Sequence, residues 1–172
     1  MAEEPKSPKL EGKATAKLTH TTPQQLWPLL EDFCNFHKWL PTLDTCHHVQ
    51  GLHGQPGLIR YCATVIQPSS TDGAVQAPTV KWCHEKLLAI DPVQRFLRYE
   101  IGENNLGFTS YVSEMKVVES GGGGGGCMVE WSFTADPVEG LRSEDLCGYI
   151  QSALEGMVER MEKELQAQAA TN

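Results

Sequence analysis

The chain closes with one long amphipathic stretch, "GLRSEDLCGYIQSALEGMVERMEKELQ", and most of what precedes it is strand-like. Leu146, Ile150, Leu154, Met157, Met161 and Leu165 recur at helical spacing. Glu144 and Asp145 stand in the first turn, where the helix dipole favours acidic groups. The pattern predicts a helix of about six turns. Strand-like runs lie near 43–50, 57–67, 78–90, 94–102, 107–119 and 127–136, separated by Gly, Pro, Asn and Asp turn signals. A seventh, "LEGKATAKLTH", opens the domain. Between it and the rest, "TTPQQLWPLLEDF" carries a helix-start signature, with Thr22 as N-cap, Pro23 next and Gln25 completing a capping box. A second short helix around "CNFHKWL" ends before Pro41. A curved antiparallel sheet followed by a single long helix has one economical way to cover its concave face, which is to wrap round that helix. The expectation is one α+β domain over 10–167, with polar tails at 1–9 and 168–172.

Composition narrows the function classes. A net charge of -8 lacks the basic face that phosphate backbones require, so no nucleic-acid partner is expected, and anionic membranes are disfavoured. No apolar run approaches the ~20 residues of a membrane span, and the polar start "MAEEPKSPKLEGK" has no secretory apolar core. Six scattered cysteines without a CxxC pair read as reduced, packed thiols and place the protein in the cytoplasm. The hexaglycine Gly121–Gly126 is not followed by GK[ST] or by a helix, so it reads as a loop between strands.

Two charges sit inside strand-like segments: Arg60 in "PGLIRYCATVIQP" and Glu85 in "APTVKWCHEKLLAID". Alternation puts Arg60 and Cys62 on one face of their strand, and Cys83, Glu85 and Leu87 on one face of the next. If Asp72-Gly73 forms a two-residue turn, the register sets Arg60 opposite Glu85 and Cys62 opposite Cys83. Pro68 and Pro78 argue for a wider loop at that tip. Facing outward, the pair would be a surface contact worth about 0–1 kcal/mol. Facing inward, it would give a cavity a polar end. Tyr99 and Tyr111 are placed to bring phenols into the same space, with Trp131, Phe133 and Met157 as apolar wall. The cluster Cys46, His47, His48 and His53 suggests a metal only until alternation is considered, since neighbouring strand residues face opposite ways. No metal is expected.

The segments "LLEDFCNFHKWLPTL", "IRYC", "WCHEKLLAID", "GFTSYVSEM" and "EWSF…VEG" resemble the lachrymatory factor synthase branch of plant cavity proteins, within the superfamily of START domains, major birch pollen allergens and polyketide cyclases. The resemblance spans about residues 10–165. It implies a helix-grip fold. It also implies that Arg60 and Glu85 are a catalytic pair, helped by Tyr99 and Tyr111, with Trp131 in the cavity and neither cofactor nor metal. Enzymes of that branch rearrange a small alkenyl sulfenic acid into a thial S-oxide. The "SGLPA" gate loop of the related abscisic acid receptors is replaced here by "VIQPSSTDGAV". Two readings follow: a binding protein for a small hydrophobic molecule with a polar head, its contacts being Arg60, Glu85, Cys62, Cys83 and Leu87 with the aromatic wall, or a cofactor-free isomerase. A monomer or weak dimer is expected for either.

Overall fold

The computed structural model describes residues 7–68, 77–121 and 124–171. The Asp72-Gly73 turn therefore lies outside the described residues. Seven strands form one antiparallel sheet: β1 (Leu10–Leu18), β2 (Thr45–Gln50), β3 (Ile59–Ile66), β4 (Thr79–Asp91), β5 (Phe96–Asn104), β6 (Tyr111–Glu119) and β7 (Cys127–Ala135). Their spatial order is β1-β7-β6-β5-β4-β3-β2, so β1 and β2 are the open edges. Between those two strands in sequence come α1 (Pro23–Glu31) and a short 3-10 helix, Phe33–Lys38, and the chain ends in α2 (Ser143–Ala170). This is the expected α+β helix-grip architecture.

The local reasons are the expected ones at α1. Thr22 Oγ1 accepts from the Gln25 backbone N–H at 3.2 Å, and Gln25 Oε1 accepts from the Thr22 N–H at 3.0 Å. The reciprocal bonds satisfy two end groups that water would otherwise have to cover. The long helix differs in extent. Its 28 residues make about eight turns rather than six. It runs to Ala170, through positions assigned from sequence to a tail.

Curvature comes from breaks in register. The ladder slips between Cys83 and Glu85 and again between Leu87 and Ala89 on β4, and between His48 and Gln50 on β2. Each irregularity bends its strand and increases twist, which curls the sheet round α2. The space inside is filled unevenly. Leu154, Met157, Val158 and Met161 from the later turns of α2 pack against Leu26, Leu30, Leu97, Met115 and Val129, all buried. The earlier turns, from Leu146 to Ile150, do not close onto the sheet in the same way, and a hollow remains there. No helix among the described residues is long and apolar enough to cross a membrane.

Candidate functional site

The β3–β4 ladder pairs Arg60 with Glu85 and Cys62 with Cys83. Both charges face the interior: Arg60 is 2% exposed and Glu85 is 9% exposed. The guanidinium donates to a single carboxylate oxygen, Glu85 Oε2, from Nε at 2.7 Å and from Nη2 at 2.6 Å. Nη1 donates to the Phe33 carbonyl at the end of the α1 connection. Aromatic rings cover the cation, with its central carbon 3.7 Å from the Phe33 centroid, 4.2 Å from Phe36 and 5.2 Å from Tyr99. A desolvated guanidinium is costly unless paired and bonded, and here it is both. Burial pulls the Arg60 pKa down more than any single neighbour raises it, but Glu85 together with Cys62, Cys46 and Tyr99 more than offsets this and the net shift is upward, so the cation persists.

Glu85 differs from its partner. Its second oxygen, Oε1, has no hydrogen-bond partner among the described residues, and the side chain is 12% exposed against 3% for Arg60. It borders a cavity of about 520 Å³ lying between the concave sheet and the first turns of α2. Phe36, Ile101, Phe108, Trp131 and Ile150 supply apolar wall, and Tyr99, Tyr111, Cys62 and Cys83 also line it. Ile66, Lys81 and Tyr149 are lining residues that are also exposed, so they mark the mouth.

The aromatic wall is tied down from behind. Trp131 Nε1 donates to Ser113 Oγ at 2.7 Å, and that hydroxyl donates to the Ser132 carbonyl at 2.8 Å. The indole is thus satisfied and leaves only its ring to the hollow. Burial pushes the phenols of Tyr99 and Tyr111 above the usual range, and the Glu85 carboxylate adds to both shifts. They stay neutral O–H groups.

Three cysteines follow the same register. Cys46 opposes Cys62, which opposes Cys83, across β2, β3 and β4. The Cys62 thiol stands 3.9 Å from Cys46 Sγ and 3.6 Å from Glu85 Oε2. All six cysteines are free thiols. Cys46 is buried, whereas His47 stacks on Tyr61 on the outer face, at 5.2 Å between ring centroids. Alternation separates them as the sequence predicts.

Three residues expected on the wall do not line it: Leu87, Phe133 and Met157. All three are core. Leu87 shares the Glu85 face but sits two residues deeper, opposite Tyr99. Phe133 lies behind Tyr111, its ring parallel within 2° at 6.2 Å, and crosses β1 at Gly12, where a Cβ would come within 2.9 Å of the ring. Met157 belongs to the solidly packed half of α2, two turns beyond Ile150. Conversely, sequence reasoning did not assign Phe33 and Phe36 to the site. Their spacing in "FCNF" on a short helix was the available signal, and it reads equally well as core.

Comparison with known proteins agrees with this fold. Residues 13–166 match the family described as polyketide cyclase / dehydrase and lipid transport. Among solved structures, protein XoxI from Bacillus cereus superposes with a TM-score of 0.66 at 20% identity, covering 91% of this chain and 95% of that one. Ginseng major latex-like protein 151, from Panax ginseng, gives 0.63 at 18% identity, covering 90% of this chain and 97% of that one. An uncharacterised protein from Bacillus thuringiensis gives 0.64 at 19% identity, with 91% and 98% covered. At these identities the structures share the fold. The family's description joins cyclisation and dehydration chemistry to lipid carriage, and so to the binding of hydrophobic ligands. With nine-tenths of its length matched, the chain belongs to the polyketide cyclase / dehydrase and lipid transport family.

Proposed function

We propose that this protein binds a small, largely apolar molecule in the cavity, with a polar head against Glu85. The observation that carries the reading is the placement of one bonded, desolvated ion pair at the inner end of a hollow whose wall is otherwise mostly aliphatic and aromatic. A core built only for stability would fill such a space, because each unfilled methylene costs stability. The six free thiols support a reducing, cytoplasmic setting. The test is thermal stabilisation by a small apolar ligand, which binds only the folded state. Wild type gains melting temperature in proportion to the logarithm of ligand concentration, and Ile101→Trp, which fills the hollow, does not. Equal responses from both proteins would reject the reading.

A second reading is supported by one further observation. The residues that the lachrymatory factor synthase resemblance marks as catalytic, Arg60, Glu85, Tyr99 and Tyr111, all border the one cavity. In a cofactor-free isomerisation of an alkenyl sulfenic acid, Glu85 Oε1 would accept the proton of the S–OH group. The same carboxyl would return it to the alkene carbon distal to sulfur, the C=C electrons forming the new C–H bond while a sulfur lone pair closes the C=S bond of the S-oxide. Arg60 is ion-paired with Glu85 and covered on its faces by aromatic rings, so its part is to hold Glu85 in place and aimed at the substrate. This reading predicts turnover that Glu85→Gln abolishes, at a rate loss of at least about a hundredfold for lost acid–base catalysis. Full activity in that variant would exclude it.

A further inference from the structure

Resting on the reading of the cavity as a ligand site, we infer that it selects neutral molecules bearing a hydroxyl or N–H donor and rejects carboxylates and other anions. An arginine lining a hollow ordinarily suggests an anion receptor, and this one is already charge-paired. Nε and one N–H of Nη2 are held by Glu85 Oε2, one N–H of Nη1 by the Phe33 carbonyl, and the faces of the guanidinium are covered by Phe33, Phe36 and Tyr99. Its charge is matched by Glu85 at the same place. Glu85 also lines the cavity, and its other carboxylate oxygen, Oε1, has no partner among the described residues and can only accept.

A ligand hydroxyl or amide N–H placed there makes a charge-assisted bond in a dry setting. A carboxylate placed there sets two like charges together, with no free cation to separate them. An ether or a plain hydrocarbon leaves the acceptor desolvated and unpaired, which a buried polar site penalises strongly. Among the described residues the only other cation on the wall is Lys81, which is exposed at the mouth and could hold an acid only at the rim.

Matched probes on one skeleton test the inference: 2-naphthol, 2-naphthoate and 2-methoxynaphthalene, titrated calorimetrically near pH 7 into wild type and Lys81→Gln. 2-Naphthol is expected to bind at least about tenfold tighter than either analogue in both proteins, the ratio expected for one charged hydrogen bond. In Glu85→Gln, where Arg60 loses its counter-charge, the naphthoate-to-naphthol preference rises by about tenfold; folding of that variant is checked by circular dichroism. The wild-type ratios decide the matter by themselves if the variant does not fold. If 2-naphthoate binds Lys81→Gln as tightly as 2-naphthol does, or if all three probes bind equally, donor selectivity is wrong while the ligand cavity stands. If none binds and none raises the melting temperature, the cavity reading falls and takes this inference with it.

Discussion

Arg60 and Glu85 are joined asymmetrically: both short contacts, at 2.7 and 2.6 Å, end on Oε2, and Oε1 has no hydrogen-bond partner among the described residues. Oε2 ties the start of β3 to the middle of β4.

The pair is strongly coupled to stability. Arg60→Met leaves a buried carboxylate without its cation, and Glu85→Leu leaves a buried cation without its carboxylate. Each single change is expected to cost about 3–5 kcal/mol in denaturant unfolding, whereas the double change returns close to wild type. Additive losses in the double variant would show that the two charges do not depend on each other.

Behind the wall, Ser113 serves Trp131. Ser113→Ala strands the indole N–H and is expected to cost about 1–3 kcal/mol. The same serine change made in a Trp131→Phe background, where no indole needs a partner, costs clearly less. Equal costs in both backgrounds would mean that the 2.7 Å bond contributes nothing specific.

Alkaline pH is expected to weaken the fold. Contact with Cys62 and burial push the Cys46 thiol well up, burial raises Cys127 to about 11, and burial also raises Tyr99 and Tyr111. The folded state therefore holds these protons more tightly than the unfolded chain does. Their stabilisation is complete below the unfolded values, ~8.5 for thiols and ~10 for phenols, and is lost as pH climbs through the folded ones. Unfolding free energy measured from pH 7.5 to 10.5 should fall above about pH 8.5, with a shallower fall above pH 10 in Tyr99→Phe. A flat profile would contradict the burial of these groups.

Among the described glycines of this run, Gly126 has no room for a side chain. A Cβ on Gly126 would lie 2.6 Å from the Leu18 carbonyl oxygen, on the backbone of β1, whereas Gly121 and Gly124 have nothing within 4 Å. Gly126→Ala is expected to destabilise by about 1–3 kcal/mol through overpacking, and Gly121→Ala and Gly124→Ala to stay within about 0.5 kcal/mol. Chemical denaturation of the three variants settles it. Equal effects at all three would remove the close approach as the reason for glycine.

Most of the fold was legible because its signals are local. The capping box at Thr22 and Gln25, the alternation along β3 and β4 and the stripe on α2 each depend on residues close in sequence. The Arg60–Glu85 register was legible too, since one antiparallel pairing specifies all its neighbours. What could not be read was depth. Leu87 and Met157 lie on the expected faces but beyond the hollow, because β4 slips register next to Leu87 and α2 closes onto the sheet only in its later turns. Those distances arise from three-dimensional curvature, which period-two and period-3.6 patterns do not encode. The covering of Arg60 by Phe33 and Phe36 was hidden for a related reason. It depends on where the 3-10 helix docks against the sheet, and that docking is a long-range event.

The most direct test of a donor-seeking ligand cavity is a crystal structure of the protein grown with 2-naphthol. The account predicts ring density between Ile101, Trp131 and Ile150, with the phenol oxygen at hydrogen-bond distance, about 2.6–3.2 Å, from Glu85 Oε1. Density for the ligand only in the surface groove between β1 and α2, beside Lys17 and Glu162, with the hollow closed by side chains, would contradict it.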